Sequence, residues 1–398
     1  MRGYKMLNYQ EEQEVIELCQ SLIRMKGYSG HEDATAEVLK AYFQKREFDE
    51  IEADACGNMT GIINGNRPGP CIVFDGHMDT VPVNETEWVE DPFGAKIRDG
   101  RIYGRGTSDM KGAVAAMACA AALFADKTGR DFPGKVVIAG IVQEELFEGV
   151  ASKYVCDRYR PDYVVIGEAS NLNVKIGQRG RAEIVVETFG TTAHSAHPEK
   201  GNNAVLSMCK VIEEISKLPV EEHPALSRGI LVLTDVKSEP YPGSSCVPAY
   251  CKATYDRRTL VGETKESILE PIQACLETLE KADTSVTAKV SYACGSGRCY
   301  TGKEISAEKF FPAWLFEKED AFVQSCLEEL RAAGFGPEVT VYDFCTNGSY
   351  YAGKEGIPTI GLGPSREDLA HTADEYIEIS QLAGAVSCYM ALMKALLK

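Results

Sequence analysis

The sequence predicts an α/β protein, in which a domain with a mostly parallel sheet is interrupted by a smaller ferredoxin-like insert. Short apolar runs rich in β-branched residues alternate with helical patterns in the first part of the chain, which is typical of parallel strands buried on both faces. This alternation changes at about residue 181 and resumes after residue 295. The chain of 398 residues is also longer than one ordinary domain, so two domains are expected.

The first part of the chain supplies two helices and three strands to this prediction. Apolar residues at helical spacing predict a helix over residues 8–25, and an alanine-rich stretch predicts another over 111–125. Short apolar runs predict buried strands over 71–75, 135–143 and 163–167. Helices and strands that alternate in this way form a layered α/β domain.

The middle of the chain follows the order βαββαβ, which is that of a ferredoxin-like unit. In chain order its predicted elements are a strand at 181–190, a helix at 201–217, strands at 229–236 and 250–258, a helix at 263–282 and a strand at 287–294. The α/β rhythm then resumes with a helix at 319–333, strands at 338–342 and 356–363, and a helix from 380. We therefore predict one discontinuous domain, residues 1–180 and 296–398, and one inserted domain, residues 181–295.

Composition bears on partners and on cellular location. The 42 basic and 59 acidic residues give a formal net charge of −17, which repels phosphate backbones, so no nucleic-acid partner is expected. No stretch approaches 18 uninterrupted apolar residues and the N-terminal residues show no apolar export segment, so no membrane association is expected. The 14 cysteines are scattered singly and lack zinc-site spacing, which favours free thiols in a reducing cytoplasm.

Histidine and carboxylate side chains follow successive predicted strands and turns, and ligands bind at the carboxyl ends of strands in open α/β sheets. Together with one late histidine they are His77, Asp79, Asp109, Glu144, Glu145, Glu168 and His371. Each alone has a plainer interpretation, since such residues are more often turns, caps or solvated faces. The turn GRGTSD likewise lacks the lysine and spacing of a phosphate-binding loop. Their convergence at one edge of the sheet, in a chain with only six histidines, favours a functional site.

Histidine with several carboxylates suits a divalent ion, zinc first and then cobalt or manganese. Two imidazoles with at least three carboxylates suit a pair of ions, because one carboxylate can bridge them. Ions of this kind lower the pKa of a bound water. One of Glu144 and Glu145 would then balance metal charge while the other accepts the water proton, and periodicity alone does not choose between them.

The segments HMDTVP, GRGTSDMKG, QEE, GE and AHTADE resemble, in order and approximate spacing, those of the M20 metallopeptidases. That group includes acetylornithine deacetylase, succinyl-diaminopimelate desuccinylase and glutamate carboxypeptidase. The resemblance covers nearly the whole chain, including the position of the insert, and implies amide hydrolysis without a covalent enzyme intermediate. The roles that it implies are His77 and Glu168 on the first metal, Asp109 bridging, Glu145 and His371 on the second metal, Glu144 as general base and Asp79 orienting the His77 ring.

The insert carries a resemblance of its own. The segment GTTAHSAHPEKGNNAV, residues 190–205, resembles the family segment whose histidine reaches the active site of the partner subunit and helps to bind the oxyanion. It implies a homodimer in which His194 acts in trans and the insert serves as lid and dimerisation domain. His197 is the alternative histidine, and capping of the following helix is the plainer interpretation of both.

Several further residues resemble the family's substrate contacts. Arg258, in TYDRRTL, stands where the family supplies an arginine to the substrate carboxylate, although an arginine on a strand is a surface residue about as often. Ser245 stands where asparagine is more usual, which puts a second polar contact to the substrate in doubt. Asn347, Gly348 and Gly363 lie in loops that resemble the family's pocket walls.

The substrate class follows from the resemblance and leaves alternatives. Glutamate at 168, where the aminopeptidases have aspartate, implies an N-acyl amino acid or a small peptide with a free carboxylate. The DRR and CVP segments look most like the hydrolases linked to bacterial selenium-metabolism gene clusters. A carbamoyl-amide substrate such as a ureido acid is the alternative reaction. A non-catalytic binding protein would be expected to lose a ligand or the base, and a cysteine hydrolase needs a thiol beside a histidine motif, so both are disfavoured.

Overall fold

The structure, a computed structural model, describes residues 7–398. The chain divides into two compact units. The first comprises the described residues up to Gln178 together with Ser296–Ser306 and Trp314–Lys398, and the second comprises Arg179–Gly295 and Ala307–Ala313. The chain therefore returns briefly to the second unit beyond residue 295.

The described residues contain eight α-helices and twenty-one strands. The helices are α1 (Tyr9–Ile23), α2 (Asp33–Lys45), α3 (Lys111–Thr128), α4 (Ser152–Tyr159), α5 (Ala204–Ile215), α6 (Lys265–Ala282), α7 (Ala321–Ala332) and α8 (Ile379–Leu396). The strands up to the second unit are β1 (Glu50–Ala53), β2 (Met59–Asn64), β3 (Arg67–His77), β4 (Lys96–Arg98), β5 (Arg101–Tyr103), β6 (Pro133–Ile141), β7 (Tyr163–Ile166) and β8 (Val174–Gln178). Those that follow are β9 (Gly180–Phe189), β10 (Glu222–His223), β11 (Ser227–Arg228), β12 (Ile230–Glu239), β13 (Tyr250–Thr259), β14 (Ala288–Tyr292), β15 (Cys294–Arg298), β16 (Glu304–Glu308), β17 (Phe310–Phe311), β18 (Trp314–Leu315), β19 (Val339–Tyr342), β20 (Thr359–Gly361) and β21 (Tyr376–Glu378).

A nine-stranded mixed sheet forms the centre of the first unit, in the order β1-β2-β6-β3-β7-β20-β8-β18, with β19 beside β8. The central strands β6, β3, β7 and β20 are parallel, which confirms the α/β class. The prediction of a mostly parallel sheet is wrong towards both edges, where β2 pairs antiparallel with β1 and β6, and β8 with β20 and β18. The segments joining β1 to β2 and β7 to β8 are shorter than the dozen or so residues that a parallel crossover requires.

Two apolar helices cover this sheet. In α3 every residue from Lys111 to Ala125 is buried, because small alanines let the helix approach its neighbours closely. Helix α8 packs against the sheet, with the ring of Tyr389 edge-on to Phe74 of β3 at a centroid distance of 5.6 Å. Among the described helices, α8 alone is long and apolar enough to cross a membrane, yet 67% of that stretch is buried inside the fold. Such burial is typical of a core helix.

Parallel pairing brings the ends of three strands to one edge of the sheet. In the register of the sheet, His77 at the end of β3 lies beside Ile141 at the end of β6. Asp75 of β3 lies beside Ile166 at the end of β7. The loops that leave β6 and β7 therefore start next to His77. This arrangement positions the candidate site.

The second unit has its own core and sheet. Its elements follow the chain order βαββαβ, and its antiparallel sheet has the order β12-β13-β9-β14, the ferredoxin-like arrangement. Helices α5 and α6 bury apolar residues such as Val211 and Ile272 in a core separate from that of the first unit. The short strand β17 pairs with β9, which is why residues 307–313 belong to this unit and not to the flanking domain of the sequence prediction.

Candidate metal centre

The centre is built around His77, whose side chain is only 1% exposed. Its Nδ1 lies 2.9 Å from the backbone carbonyl of Asp79, and because a carbonyl only accepts, Nδ1 is the protonated nitrogen. In the neutral ring this tautomer leaves the Nε2 lone pair as the one that can bind a metal ion. Nε2 faces three carboxylates, at 2.9 Å from Asp109 Oδ1, 3.4 Å from Glu168 Oε1 and 3.9 Å from Glu144 Oε2.

Asp109 joins the two histidines of the cluster. Its Oδ1 lies 2.9 Å from His77 Nε2, while its Oδ2 lies 3.1 Å from His371 Nε2. The same His371 nitrogen is 3.1 Å from Glu145 Oε2. Each oxygen of one carboxylate therefore faces a different imidazole. Asp109 is thus placed to contact both histidine-bearing sides of the cluster.

The two adjacent glutamates have different surroundings. Glu144 lies on the His77 side of the cluster, whereas Glu145 contacts His371 and accepts the backbone N–H of Val81 at 3.2 Å. The preceding Gln143 has a φ of +62°, in the left-handed region, which turns the chain sharply before the pair. The fold thus directs consecutive carboxylates to different partners.

The cluster concentrates negative charge where water is scarce. Burial raises the pKa of Glu144 well above its usual range. The neighbouring charge of His77 lowers this pKa, whereas repulsion from Glu168 and Glu145 raises it further. Burial and the charge of Asp109 raise the pKa of Glu145 to about 7. Burial lowers the pKa of His77, but the neighbouring carboxylates outweigh it and raise that pKa well above the usual value. Even if both imidazoles are protonated, their two positive charges cannot neutralise the negative charges of four ionised carboxylates.

This donor set fits divalent metal ions. Two groups of side chains each offer ligand atoms within 4.8 Å of one another, namely His77, Glu144 and Glu168, and His77, Asp109 and Glu145. Carboxylate and imidazole ligands are those that bind zinc and related ions, and buried carboxylates require such cations or other partners. The predicted metal-binding cluster is therefore present in the fold.

Asp79 supports the cluster differently from the expectation. Its nearest carboxylate oxygen is 3.6 Å from His77 Nδ1, because the carboxylate is drawn instead to three donors. It accepts the backbone N–H groups of Glu144 and Glu145 at 3.1 and 3.2 Å, and the hydroxyl of Ser29 at 2.6 Å. Asp79 thus orients His77 through its backbone and holds the glutamate pair through its side chain.

The sequence interpretation missed a supporting segment directly before α2. Besides Ser29, it contains Glu32, which is fully buried and whose Oε1 accepts the N–H groups of Gly30 and Gln143 at 2.9 and 3.1 Å. The segment SGHE before a helix is typical of an ordinary turn and cap, so no sequence signal distinguishes its role. It fixes the loop that presents Glu144.

Asn347 and Gly363 form hydrogen bonds with other residues of the first unit. Buried Asn347 donates to Asp75 at 2.8 Å and accepts the N–H of Gly149 at 2.7 Å. The N–H of Gly363 donates to Ser170 Oγ at 2.9 Å. A Cβ at position 363 would lie 2.0 Å from the carbonyl oxygen of Gly167, so only glycine fits there. The predicted substrate contacts of both residues compete with these bonds.

His194 and Arg258 belong to the second unit. The exposed His194 forms an isolated bridge with Cys246, and its Nδ1 accepts the N–H of Ala196 at 3.0 Å. His197 is also exposed, and neither side chain caps a helix: α5 is capped by Asn203. The guanidinium of Arg258 lies 3.1 Å from Asp256 on the same strand.

Comparison with known proteins identifies the family. Residues 73–395 match the model of peptidase family M20/M25/M40. The chain belongs to this family. It is 34% identical over 361 residues to the uncharacterized protein YgeY of Escherichia coli K12, covering 89% of this chain and 87% of that one. It is 27% identical over 393 residues to succinyl-diaminopimelate desuccinylase 2 of a Ruegeria species, covering 95% and 94%.

Solved structures of the family share the fold. Aminopeptidase PepT from Bacillus cereus superposes with a TM-score of 0.76 at 20% identity, covering 99% of this chain and all (100%) of that one. A dinuclear metal-binding peptidase of the M20 family from Bacillus subtilis gives 0.70 at 13% identity, covering 98% and 100%. The predicted family and enzyme class are confirmed: the chain is an M20 hydrolase that acts on amide bonds of acyl amino acids or peptides.

Proposed function

We propose that this M20 hydrolase removes the acyl group from an N-acyl amino acid, or cleaves a small peptide with a free carboxylate, with two metal ions and Glu144 as general base. The observation that carries the proposal is the division of Asp109 between His77 and His371. It supports a first ion on His77, Asp109 and Glu168, and a second on Asp109, Glu145 and His371. Zinc suits these ligands best, with cobalt or manganese as alternatives.

Bound metals supply Lewis acidity and a water of lowered pKa. The chain supplies the proton transfers. Glu144 is buried, lies 3.9 Å from His77 Nε2, and takes the proton from the attacking water at one carboxylate oxygen. It then gives that proton to the leaving amine as the C–N bond breaks. The N–H groups of Glu144 and Glu145 stay bonded to Asp79, so the loop holds the base in place.

Arg258 is the residue that we assign to the substrate carboxylate. Its neighbour Arg257 is buried and bonds to Glu263 and to two backbone carbonyls, so its guanidinium serves the fold. Arg258 is 28% exposed and pairs with Asp256, which also binds Arg181. A planar guanidinium accessible to solvent suits a carboxylate. The pair thus divides into a structural and a binding arginine.

A homodimer completes the proposal. Strand β12 lies at the end of its sheet and exposes four large apolar side chains: Ile230, Val232, Leu233 and Val236. A long apolar edge strand is a template for pairing, and a second copy of β12 covers it. The variant Val236→Lys should raise the dimer dissociation constant by about tenfold or more, as measured by analytical ultracentrifugation, with Lys237→Ala as the matched control. Unchanged association of both variants would place the interface elsewhere.

The free cysteines support a cytoplasmic location for the protein. All 14 cysteines, which lie within the described residues, are free, and most are buried. Free buried thiols are typical of a reducing compartment.

Metal removal tests the core of the proposal. Dialysis against a chelator should abolish hydrolysis of N-acetyl or N-succinyl amino acids, and zinc, cobalt or manganese should restore it at two ions per chain. N-carbamoyl amino acids and dipeptides complete the substrate panel and decide between deacylase, ureido hydrolase and peptidase. Full activity after complete metal removal refutes the two-metal mechanism. Metal binding without turnover of any substrate supports a non-catalytic binding protein instead.

A further inference from the structure

The glycine-rich turn GRGTSD, residues 104–109, wraps around the carboxylate of Glu375. Its Oε1 accepts the backbone N–H groups of Ser108 at 2.7 Å and Asp109 at 3.1 Å. Its Oε2 accepts the N–H of Gly106 at 3.1 Å and the guanidinium of Arg105 at 2.6 Å. Glu375 is 0% exposed. The turn, which lacks the lysine and spacing of a phosphate-binding loop, thus surrounds a carboxylate of the chain itself.

Backbone N–H groups that converge in this way form an anion-binding nest. Gly106 has a φ of +88°, a conformation that side chains disfavour and that turns its N–H towards the carboxylate. Arg105 is also buried and pairs with Glu375, so the charge is compensated at the cost of desolvating both groups. An ion pair this deeply buried is weak evidence for stability and calls for another explanation of its presence.

The position of Glu375 in the chain supplies that explanation. It lies four residues after His371, and Asp109 is the last residue of the turn. The short segment 371–375 therefore contributes one histidine to the metal cluster and, at its other end, the carboxylate that fixes the turn ending in Asp109. Asp109 and His371 face one another at 3.1 Å across the cluster. One carboxylate thus sets the spacing between two ligand-bearing loops that are 262 positions apart.

We propose that Glu375 is the positioning residue of the bridging ligand. This inference rests on the proposed two-metal function. Glu375 touches neither substrate nor ion; it acts through Asp109, whose N–H it holds, and keeps the Asp109 oxygens divided between the two histidines. Without Glu375 the turn loses the acceptor for three backbone N–H groups. The backbone of Asp109, and with it the position of the bridging carboxylate, is then no longer fixed. Metal affinity falls, while the rest of the fold persists.

The variant Glu375→Gln tests this role while preserving shape. The substitution replaces one of the two carboxylate oxygens with an NH₂ group. Whichever oxygen is replaced, the NH₂ group then faces N–H donors of the turn, so the hydrogen bonds of the nest are disrupted. We expect affinity for cobalt or zinc, measured by competition with a chromogenic chelator, to fall by about 10- to 100-fold. The visible absorption spectrum of bound cobalt should change, and amide hydrogens of residues 106–109 should exchange faster. Far-UV circular dichroism should remain that of the wild type.

The matched control is Glu378→Gln, three residues further along the chain at the end of β21. Glu378 is 45% exposed and pairs only loosely with Arg101 at 3.5 Å, so its variant should bind metal as the wild type does. Wild-type metal affinity and cobalt spectrum in a folded Glu375→Gln variant overturn the inference, even if its melting temperature falls, because that result means a structural role alone.

A second variant covers the case in which Glu375→Gln does not fold. Arg105→Lys keeps the counter-charge but withdraws the guanidinium from the nest, and should weaken metal binding by a smaller factor, roughly 2- to 10-fold. Unchanged affinity in that variant contradicts the inference. A wild-type chain that binds no metal at all refutes the proposed function itself, so the two failures are distinguishable.

Discussion

Most candidate functional residues of the first unit are buried and contact one another, with His371 as the exception at 54% exposed, whereas the side chains of the second-unit candidates, His194 and Arg258, pair with residues close to them in the chain. His77 is 1% exposed and faces three carboxylates within 3.9 Å. His194 is exposed, and its Nδ1 accepts the N–H of Ala196, two residues away. The difference separates a site formed before any ligand arrives from residues that are available to a ligand or a second subunit.

The free-energy cost of burying charged groups explains why the two sets of residues differ in exposure. A cluster of buried carboxylates is unfavourable unless cations compensate it, so the fold must fix every ligand through several bonds in advance. An exposed histidine or arginine keeps its hydration and needs no such support until it is used. We therefore expect substitutions in the first unit to affect metal binding and chemistry, and substitutions in the second unit to affect turnover through substrate or partner contacts alone.

The largest effect should come from the general base. Glu144→Gln should lower kcat by roughly 10³- to 10⁴-fold with metal content unchanged, because the variant keeps the shape of the side chain and loses the proton acceptor. Steady-state kinetics with metal analysis measures both quantities. The neighbouring Glu145→Gln is the matched control and should instead lose bound metal. If both variants retain wild-type rates, neither glutamate has the role assigned here.

The next effect tests whether the second unit acts across a dimer. His194→Ala should lower kcat by roughly 10²- to 10³-fold, the usual loss for one donor to an oxyanion, while metal content stays constant. His197→Ala is the matched control and should stay close to wild type. A large loss in His197→Ala and none in His194→Ala would exchange their roles.

Mixing two inactive variants distinguishes action in trans. Random exchange between His194→Ala and Glu144→Ala protomers should restore about a quarter of wild-type activity, since about half of the dimers are mixed and each has one intact site. No recovery, under conditions where subunit exchange is demonstrated, means that His194 does not act across the interface.

The smallest effect concerns substrate binding. Arg258→Met should raise KM by roughly 10- to 100-fold for substrates with a free carboxylate, because a charge-assisted hydrogen bond is lost, and should leave metal content unchanged. The corresponding carboxamide substrate is the control, and its KM should not differ between wild type and variant. Equal changes for both substrates would mean that Arg258 does not recognise the carboxylate.

Where the sequence predicted a helix or strand, the structure has one at nearly the same residues, although α2, α4 and the strands β1, β2 and β8 were not predicted. The helix expected over 111–125 is α3, and the strand expected over 250–258 is β13. Periodicity succeeds here because burial on one face imposes the same spacing on the sequence as on the structure. The expectation of a mostly parallel sheet failed at the sheet edges, where β2 and β8 pair antiparallel, because an apolar run does not indicate the direction of a strand relative to its neighbour.

The supporting residues were less visible. Ser29, Glu32 and Glu375 are polar residues in short turns, and such residues are mostly solvated. Their partners lie far along the chain, as with Glu375 and Ser108, which are 267 positions apart. A signal did exist for Glu375, because the motif AHTADE ends on it and the turn GRGTSD offers an anion nest without an external anion. Pairing the two requires the fold.

What the sequence determined by itself is the chemistry: histidine and carboxylates at strand ends predict a metal site, since parallel strands bring their ends to one edge, and the resemblance of the motifs to the M20 family implies amide hydrolysis there. What only the tertiary structure decided is which atoms meet. It assigns the carbonyl of Asp79 to His77 and its carboxylate to the backbone of Glu144 and Glu145. It also fills the nest of the Asp109 turn with Glu375. A hydrogen bond requires a donor–acceptor distance within a few tenths of an ångström and a suitable angle, and the spacing of residues along the sequence contains neither.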